Sequence, residues 1–169
     1  MSATTSARAQ FTISRSYNAP IEECWALWTT QDGIESWWGP EGFDVTVQAL
    51  DLRVDGKLVY LMTATAPQQV AFMKQAGMPL STPCTVTYTQ VQPTSRLAYK
   101  TLADFVPGVK PYDLGTVVEL QSTDNGTKVT ITFDAMHDEA WTERARAGHE
   151  SQILKLDALM LARDKAVRT

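Results

Sequence analysis

The sequence predicts an α+β domain in which a curved antiparallel sheet of six or seven strands wraps around one long C-terminal helix. Several segments alternate apolar and polar residues with period two, as strands with one buried face do. Turn residues such as Asn125-Gly126 separate these segments. The last segment, Asp138 to Arg163, instead has apolar residues three or four apart. An amphipathic helix of that length can bury its apolar face only against a broad sheet.

The N-terminal part is predicted to form one strand and two short helices. Gln10 to Tyr17 alternates as a strand does. Ala19-Pro20 opens a helix that ends near Thr30, because proline fits the first helical turn. A second short helix, capped by Asp32, is expected to run through Trp37.

The middle of the chain is predicted to add six strands joined by turns. Val54-Asp55-Gly56, Pro93-Thr94-Ser95 and the turn before Thr127 are typical connections between antiparallel neighbours. The six strands are Phe43 to Leu52, Lys57 to Thr65, Cys84 to Gln92, Arg96 to Ala103, Leu114 to Ser122 and Thr127 to Asp134.

Two segments interrupt this series of strands. Ala66 to Pro83 has the pattern of a short helix ended by Gly77, and Phe105 to Pro111 reads as a loop. A helix this short is marginal alone and must lean on the domain. We therefore expect Ala66 to Pro83 to form a lid over one end of a cavity between the sheet and the C-terminal helix.

The C-terminal helix carries two unusual residues on its length. Gly148 lies mid-helix, where glycine costs about 1 kcal/mol relative to alanine, and this favours close approach of another element. His149 shares the apolar stripe with Ile153 and Leu156. A buried imidazole needs a partner, and desolvation disfavours its charged form, so His149 is expected to be neutral near pH 7.

Composition excludes several classes of protein. The 169 residues carry a net charge of −4, without the basic excess of a nucleic-acid binder, and no apolar run approaches a membrane span of about 20 residues. Residues 1–9 lack the apolar core of a signal peptide and are expected to be a disordered lead-in, followed by one domain over 10–163 and a tail over 164–169. Cys24 and Cys84 match no disulfide framework, so a cytoplasmic location is expected.

No motif for metal, cofactor or nucleophilic catalysis is found. The chain has no glycine-rich phosphate loop and no nucleophile elbow. His137 and His149 are twelve residues apart and would lie on different helix faces, which disfavours a shared metal site. We therefore expect no cofactor and no metal, and the sequence assigns no catalytic residue.

Inward-facing aromatic and polar residues are the candidates for a ligand cavity. Tyrosines at inward positions of strands need hydrogen-bond partners, which a ligand or the core itself can supply. Methionines and phenylalanines near the expected lid offer adaptable apolar surface, although core packing also accounts for them. The candidates are Trp38, Phe43, Tyr60, Met62, Phe72, Met73, Tyr88, Tyr99, Phe133, Trp141 and His149.

Several sequence blocks resemble one known family. Trp37-Trp38-Gly39-Pro40 after a helix is the most specific of them, and Asp51-Leu52-Arg53 before Gly56 and Met136-His137-Asp138 add support. The chain from Phe11 to Leu161 resembles the START-like (SRPBCC) superfamily, and within it the family of the C-terminal domain of the activator of the 90-kDa heat-shock protein ATPase. His149 departs from the family pattern, which often has tryptophan after the mid-helix glycine.

This resemblance implies a helix-grip fold and three possible functions. The first is binding of a small apolar or amphipathic molecule between the sheet and the C-terminal helix. The second is a cyclase- or hydratase-like enzyme that uses polar cavity residues, here Tyr60, Tyr88, Tyr99 and His149. The third is a co-chaperone-like domain whose partner is a protein, which would need an exposed patch rather than a deep pocket.

Overall fold

A computed structural model describes residues 9–104, 106 and 108–168, which form one sheet and four helices. The strands are β1 (Gln10–Tyr17), β2 (Phe43–Leu50), β3 (Lys57–Ala64), β4 (Ser81–Gln92), β5 (Arg96–Ala103), β6 (Tyr112–Thr123) and β7 (Gly126–Asp134). The helices are α1 (Ile21–Thr29), α2 (Gln31–Trp37), α3 (Pro67–Gln75) and α4 (Glu139–Arg168). The predicted α+β class is confirmed; of the predicted lead-in, only Ala9 lies within the described residues.

All seven strands belong to one antiparallel sheet with the order β1-β7-β6-β5-β4-β3-β2. Strands adjacent in sequence pair with one another from β2 to β7, and β1 closes onto β7 with Phe11 opposite Phe133. The register shifts between Val47 and Ala49 and again between Tyr88 and Gln90. Because such bulges bend and twist a strand, both favour the curvature that the sheet needs to enclose α4.

The core lies between the concave face of the sheet and α4. Val129, Ile131 and Phe133 are buried at alternate positions of β7, as predicted from their period-two pattern. Their counterparts on the helix are Ile153, Leu156 and Met160. The outer face of α4 carries charged side chains but also exposed Leu154 and Leu161, and none of the helices described is long and apolar enough to cross a membrane.

Helices α1 and α2 close one end of this core with tryptophan. The Trp28 and Trp37 rings meet edge to face with centroids 4.8 Å apart. The Trp37 Nε1–H donates to the Leu27 carbonyl oxygen at 2.9 Å, so its polar atom is satisfied although the side chain is buried. This bond fixes the end of α2 and thereby the start of the chain segment that follows it.

Polar contacts attach α4 to the N-terminal elements. Asp157 accepts hydrogen bonds from Arg15 Nε at 3.1 Å and from the Tyr17 hydroxyl at 2.8 Å. Arg163 Nη1 lies 3.3 Å from Glu23 Oε1 on α1. These pairs are partly exposed, so each contributes little net stability, but together they define where α4 lies across β1.

Three details differ from the sequence-based expectation. The cap of α2 is Thr30 rather than Asp32, because Thr30 Oγ1 accepts the Gly33 N–H at 3.0 Å. Helix α4 continues past Arg163 to Arg168. Among the described residues no other element approaches Gly148, since a Cβ placed there would meet none of their atoms within 4 Å, so the prediction of close packing at this glycine was wrong.

Both cysteines are free, Cys24 buried and Cys84 half-buried. Burial raises the pKa of each thiol, which keeps both in the weakly reactive protonated form at neutral pH. We expect a thiol titration of denatured, non-reduced protein to find two free thiols per chain, and the folded protein to react much more slowly. A freshly purified chain without free thiols would contradict this.

Candidate functional site

A pocket of about 230 Å³ lies between the concave face of the sheet and α4. Six aromatic side chains line it, namely Trp28, Trp37, Trp38, Tyr60, Tyr99 and Phe133. The polar side chains in its wall are fewer and include Thr101, Thr116, Asp134, His149 and Gln152. An apolar concavity with a small number of polar groups is the usual composition of a small-molecule site.

Trp38, Tyr60 and Tyr99 form one continuous aromatic wall. The Trp38 ring centroid is 5.6 Å from that of Tyr60, nearly perpendicular to it, and 5.9 Å from that of Tyr99. Tyr60 and Tyr99 lie on β3 and β5, where the parity of each strand directs them inward as predicted. Trp38 comes from the opposite side, directly after α2, so the wall joins two separate parts of the chain.

Lys155 holds the segment that carries Trp38. Its Nζ donates hydrogen bonds to the carbonyl oxygens of Phe43 at 3.1 Å, Gly39 at 3.2 Å and Trp38 at 3.5 Å. One turn earlier on α4, Ser151 Oγ accepts the Glu41 N–H at 3.0 Å. Gly39 has φ of +90°, a conformation that favours glycine, which explains the glycine of the Trp-Trp-Gly-Pro motif. Helix α4 thereby positions the aromatic wall opposite itself.

His149 faces the pocket from α4 and stacks on Phe133, with ring centroids 3.9 Å apart. Burial lowers its pKa to about 4, so the imidazole is neutral at pH 7, in agreement with the sequence-based expectation. A hydrogen-bond partner for the ring was also expected. Within the described part of the chain His149 has no hydrogen-bond partner, so its ring nitrogen atoms are available to a molecule in the pocket.

Gln152 lines the pocket from α4 but was missed in the sequence, whereas Asp134 borders the pocket at the end of β7, directly after inward-facing Phe133, with its side chain on the outer side of the sheet. The Asp134 carboxylate accepts the Gly115 N–H at 2.8 Å through Oδ2 and the Gln10 amide N–H at 3.0 Å through Oδ1. A Cβ at Gly115 would lie only 3.0 Å from Oδ2, so this glycine makes room for the carboxylate. A glycine inside a strand often marks such a close approach.

The hydroxyls of the two tyrosines in the wall lie beside other side chains of the protein. Tyr60 is next to Cys84 and Tyr99 is next to Thr116, and burial raises the pKa of both phenols. Two further polar atoms, Trp38 Nε1 and the Tyr88 hydroxyl, are buried without a hydrogen-bond partner among the described residues. Both are almost inaccessible from the pocket as it stands, so the open polar groups are those of His149 and Gln152.

The predicted candidates divide into two groups. Trp38, Tyr60, Tyr99, Phe133 and His149 come together in the pocket wall. The others lie elsewhere: Tyr88 packs behind Tyr99, Met62 faces Val45 across β2 and β3, Phe43 follows the Trp38 segment, and Trp141 joins a second apolar cluster. Phe72 and Met73 are on α3, away from the wall.

The lid expected at Ala66 to Pro83 does not cover the pocket. Its helix α3 packs on β3, with the side chain of Met73 buried and that of Phe72 62% exposed. Leu114, Met136 and Ala145 line the pocket instead, and they also belong to the second apolar cluster with Ala103 and Val106. The apolar residues of α3 do not form a single face that could cover a pocket, because Met73 points into the domain and Phe72 points to solvent.

Metal ligation is not supported by the described residues, which contain no group of three histidine, cysteine, aspartate or glutamate side chains able to hold an ion. His137 lies apart from the pocket, and its Nδ1 is hydrogen-bonded to the Tyr112 hydroxyl at 2.7 Å. Its Nε2 lies 3.4 Å from Asp138, whose Oδ1 accepts the Trp141 N–H at the start of α4. The side chains of His137 and Asp138 therefore stabilise the start of α4.

A seven-stranded antiparallel sheet that wraps a C-terminal helix, with a pocket between them, defines a helix-grip protein of the START-like class. The family model for "Activator of Hsp90 ATPase homolog 1-like protein" matches residues 18–160, and the chain belongs to this family. The resemblance found in the sequence is thereby confirmed. No curated protein matches the sequence.

Solved structures share the fold at low sequence identity. Protein CV1439 from Chromobacterium violaceum is 22% identical, with a TM-score of 0.72 over 89% of this chain and 96% of that one. Protein NE0264 from Nitrosomonas europaea is 20% identical, with a TM-score of 0.68 over 95% and 99%. The AHSA1 (SPO3351) protein from Silicibacter pomeroyi is 16% identical, with a TM-score of 0.69 over 92% and 99%. These similarities concern the fold.

Proposed function

We propose that this protein binds a small molecule with an apolar, ring-sized body in the pocket between the sheet and α4. The observation that carries the proposal is the pairing of an aromatic wall with open polar groups. His149 and Gln152 line the pocket from α4 and make no hydrogen bond to any described residue. Buried polar groups without partners cost free energy, and a ligand that pairs with them recovers it.

The size of the pocket limits the ligand. A dry cavity of about 150 Å³ holds a benzene molecule, whereas drug-sized ligands occupy about 300–1,000 Å³. At about 230 Å³ the pocket suits one ring with a short polar substituent. A long acyl chain would need the walls to move apart, so a small aromatic ligand is favoured over a lipid.

The test is an NMR titration with indole, an uncharged probe of this size. We expect indole to shift the resonances of Trp38, Tyr99 and His149. We expect Ala145→Phe, which adds a ring at a residue of the pocket lining, to weaken binding at least about tenfold. Ala147→Phe is the matched control, since Ala147 is an exposed residue on the same helix. Equal binding by Ala145→Phe and wild type, or no shift in wild type, would refute the proposal.

The alternatives from the resemblance have weaker support. With a pKa of about 4, roughly one His149 ring in a thousand is protonated at pH 7, so it makes a poor general acid for cyclase- or hydratase-like chemistry. A co-chaperone-like role would use exposed apolar side chains, of which Phe72 and Met78 on and after α3 are candidates. We propose a cytoplasmic location, which suits two free thiols.

A further inference from the structure

We infer that the ligand is a phenol, bound in its neutral form, whose hydroxyl group pairs with His149 and Gln152 on the α4 side of the aromatic pocket. The inference rests on the proposed function and names the chemical class of the ligand. It follows from the two open polar side chains of the wall, from the hydrogen bonds that each can form, and from the placement of charge around the sheet.

His149 and Gln152 are three residues apart on α4, and both line the pocket. Residues at this spacing are neighbours on a helix surface, with Cβ atoms about 5–6 Å from each other. Neither side chain has a hydrogen-bond partner among the described residues. The pair therefore offers two adjacent hydrogen-bonding sites to one polar group of a ligand.

The two side chains offer both kinds of hydrogen bond. Burial lowers the pKa of His149 to about 4, so at pH 7 its neutral ring presents one acceptor and one donor nitrogen. The amide of Gln152 likewise has an acceptor oxygen and a donor nitrogen. Because a hydroxyl group donates one hydrogen bond and accepts others, a single ligand oxygen can pair with both side chains.

The charged side chains of the central strands lie on the outer face of the sheet. Lys100 on β5, Glu119 on β6 and Lys128 on β7 are exposed there, because they alternate with inward residues such as Val118. The side chain of Asp134 is on the same outer side, where it accepts the Gly115 N–H. The inward polar side chains that these strands and β3 contribute to the pocket are uncharged, namely Tyr60, Tyr99, Thr101 and Thr116.

Two cations of α4 are engaged outside the pocket. Lys155 Nζ donates to backbone carbonyls, among them that of Phe43. The Arg146 guanidinium lies 4.7 Å from the Phe11 ring centroid and 3.4 Å from Glu143. Neither cation lines the pocket, so the described wall holds no counter-ion for a charged ligand, which would lose its hydration without compensation. A phenol avoids this cost, because its pKa of about 10 keeps it neutral at pH 7.

The aromatic wall accounts for the ring of the ligand. Aromatic rings prefer edge-to-face or offset contacts with centroids about 4.5–7 Å apart. Trp38 and Tyr60 already pack in this way at 5.6 Å, and Tyr99 lies 5.9 Å from Trp38. A ligand ring can continue this series of contacts inside the pocket, whereas a saturated chain of the same volume would forgo them.

Phenol, toluene and benzoate test the assignment, because they share one ring and differ in a single substituent. Phenol and toluene differ by a hydroxyl and a methyl group of similar size. An NMR titration of the full chain at pH 7 should show phenol binding about tenfold more tightly than toluene. Benzoate should leave the resonances of Trp38, Tyr99 and His149 unshifted.

Two variants test the pair. His149→Phe removes the ring nitrogens and keeps a ring against Phe133, and Gln152→Met replaces the amide with an apolar group of similar length. Each should lower the preference for phenol over toluene about threefold, since each removes one of two hydrogen bonds, while toluene still binds. Gln75→Met is the control, because it makes the same substitution at an exposed position of α3 and should leave the preference intact.

The outcomes distinguish the two levels of the argument. Equal binding of phenol and toluene by wild type, or a preference that survives unchanged in either His149→Phe or Gln152→Met, would overturn the phenol assignment while small-molecule binding stands. Tighter binding of benzoate than of phenol in the pocket would overturn it as well. If phenol, toluene and indole all fail to bind, the proposed function itself fails.

Discussion

Replacement of Gly33 by alanine is expected to lower the free energy of unfolding by about 4 kcal/mol, or to prevent folding. Gly33 lies in the first turn of α2 against the end of α1, and an added Cβ would overlap the carbonyl oxygen of Ala26 and lie 2.8 Å from the carbonyl carbon. These are backbone atoms of a helix that packs on the core, so they cannot move aside as a flexible side chain would. Urea denaturation measures the loss.

Gly148→Ala is the matched control for this prediction, because it is the same substitution in a helix without the steric conflict. A Cβ at Gly148 meets no other described residue within 4 Å, and alanine is the better helix former. We expect stabilisation by about 0.5–1 kcal/mol. Loss of stability in Gly148→Ala, or an unchanged midpoint in Gly33→Ala, would contradict the packing described for these two helices.

The stability of the domain is expected to fall between pH 7 and pH 4 because of His149. Its pKa is about 4 in the folded state and about 6.5 when unfolded, so the unfolded chain binds more protons in this range. The contribution of the neutral ring is fully present above pH 6.5 and is lost as the pH falls towards 4. The loss is about 2 kcal/mol by pH 5 and about 3 kcal/mol over the whole range.

His149→Phe isolates this effect, since phenylalanine has a similar volume and keeps the stack on Phe133. Denaturation at pH 7 and pH 5 should show a smaller decrease in the variant than in wild type. An NMR titration should also place the His149 pKa well below 6.5. Identical pH dependence of the two proteins, or a pKa at or above 6.5, would mean that the ring is solvated or paired with an acid.

Most of the fold was predicted correctly because it is encoded in local sequence patterns. Asn125-Gly126 and the alternation of β7 are local signals, so they define the last hairpin without knowledge of the partners. The inward tyrosines of the aromatic wall follow from strand parity in the same way. Trp38 was found because it belongs to a compact motif between two predicted elements, a helix and a strand.

The parts that failed depend on relations between distant residues. The Asp134 carboxylate accepts the Gly115 N–H of β6, and this contact requires the register of two strands. The position of α3 depends on which side of the sheet the connection from β3 to β4 follows, and no pattern within Pro67–Gln75 specifies that. Gly148 was assigned a close contact, although its position on α4 leaves it open.

The contacts of Lys155 have a consequence for sequence divergence. The lysine binds three carbonyl groups of the segment between α2 and β2, and every amino acid supplies the same carbonyl. Substitutions at Pro40 or Glu41 therefore leave this attachment unchanged, whereas replacement of Lys155 removes all three bonds together. The side chains of the segment between α2 and β2, and the surface they form, can therefore diverge while the aromatic wall keeps its position relative to α4.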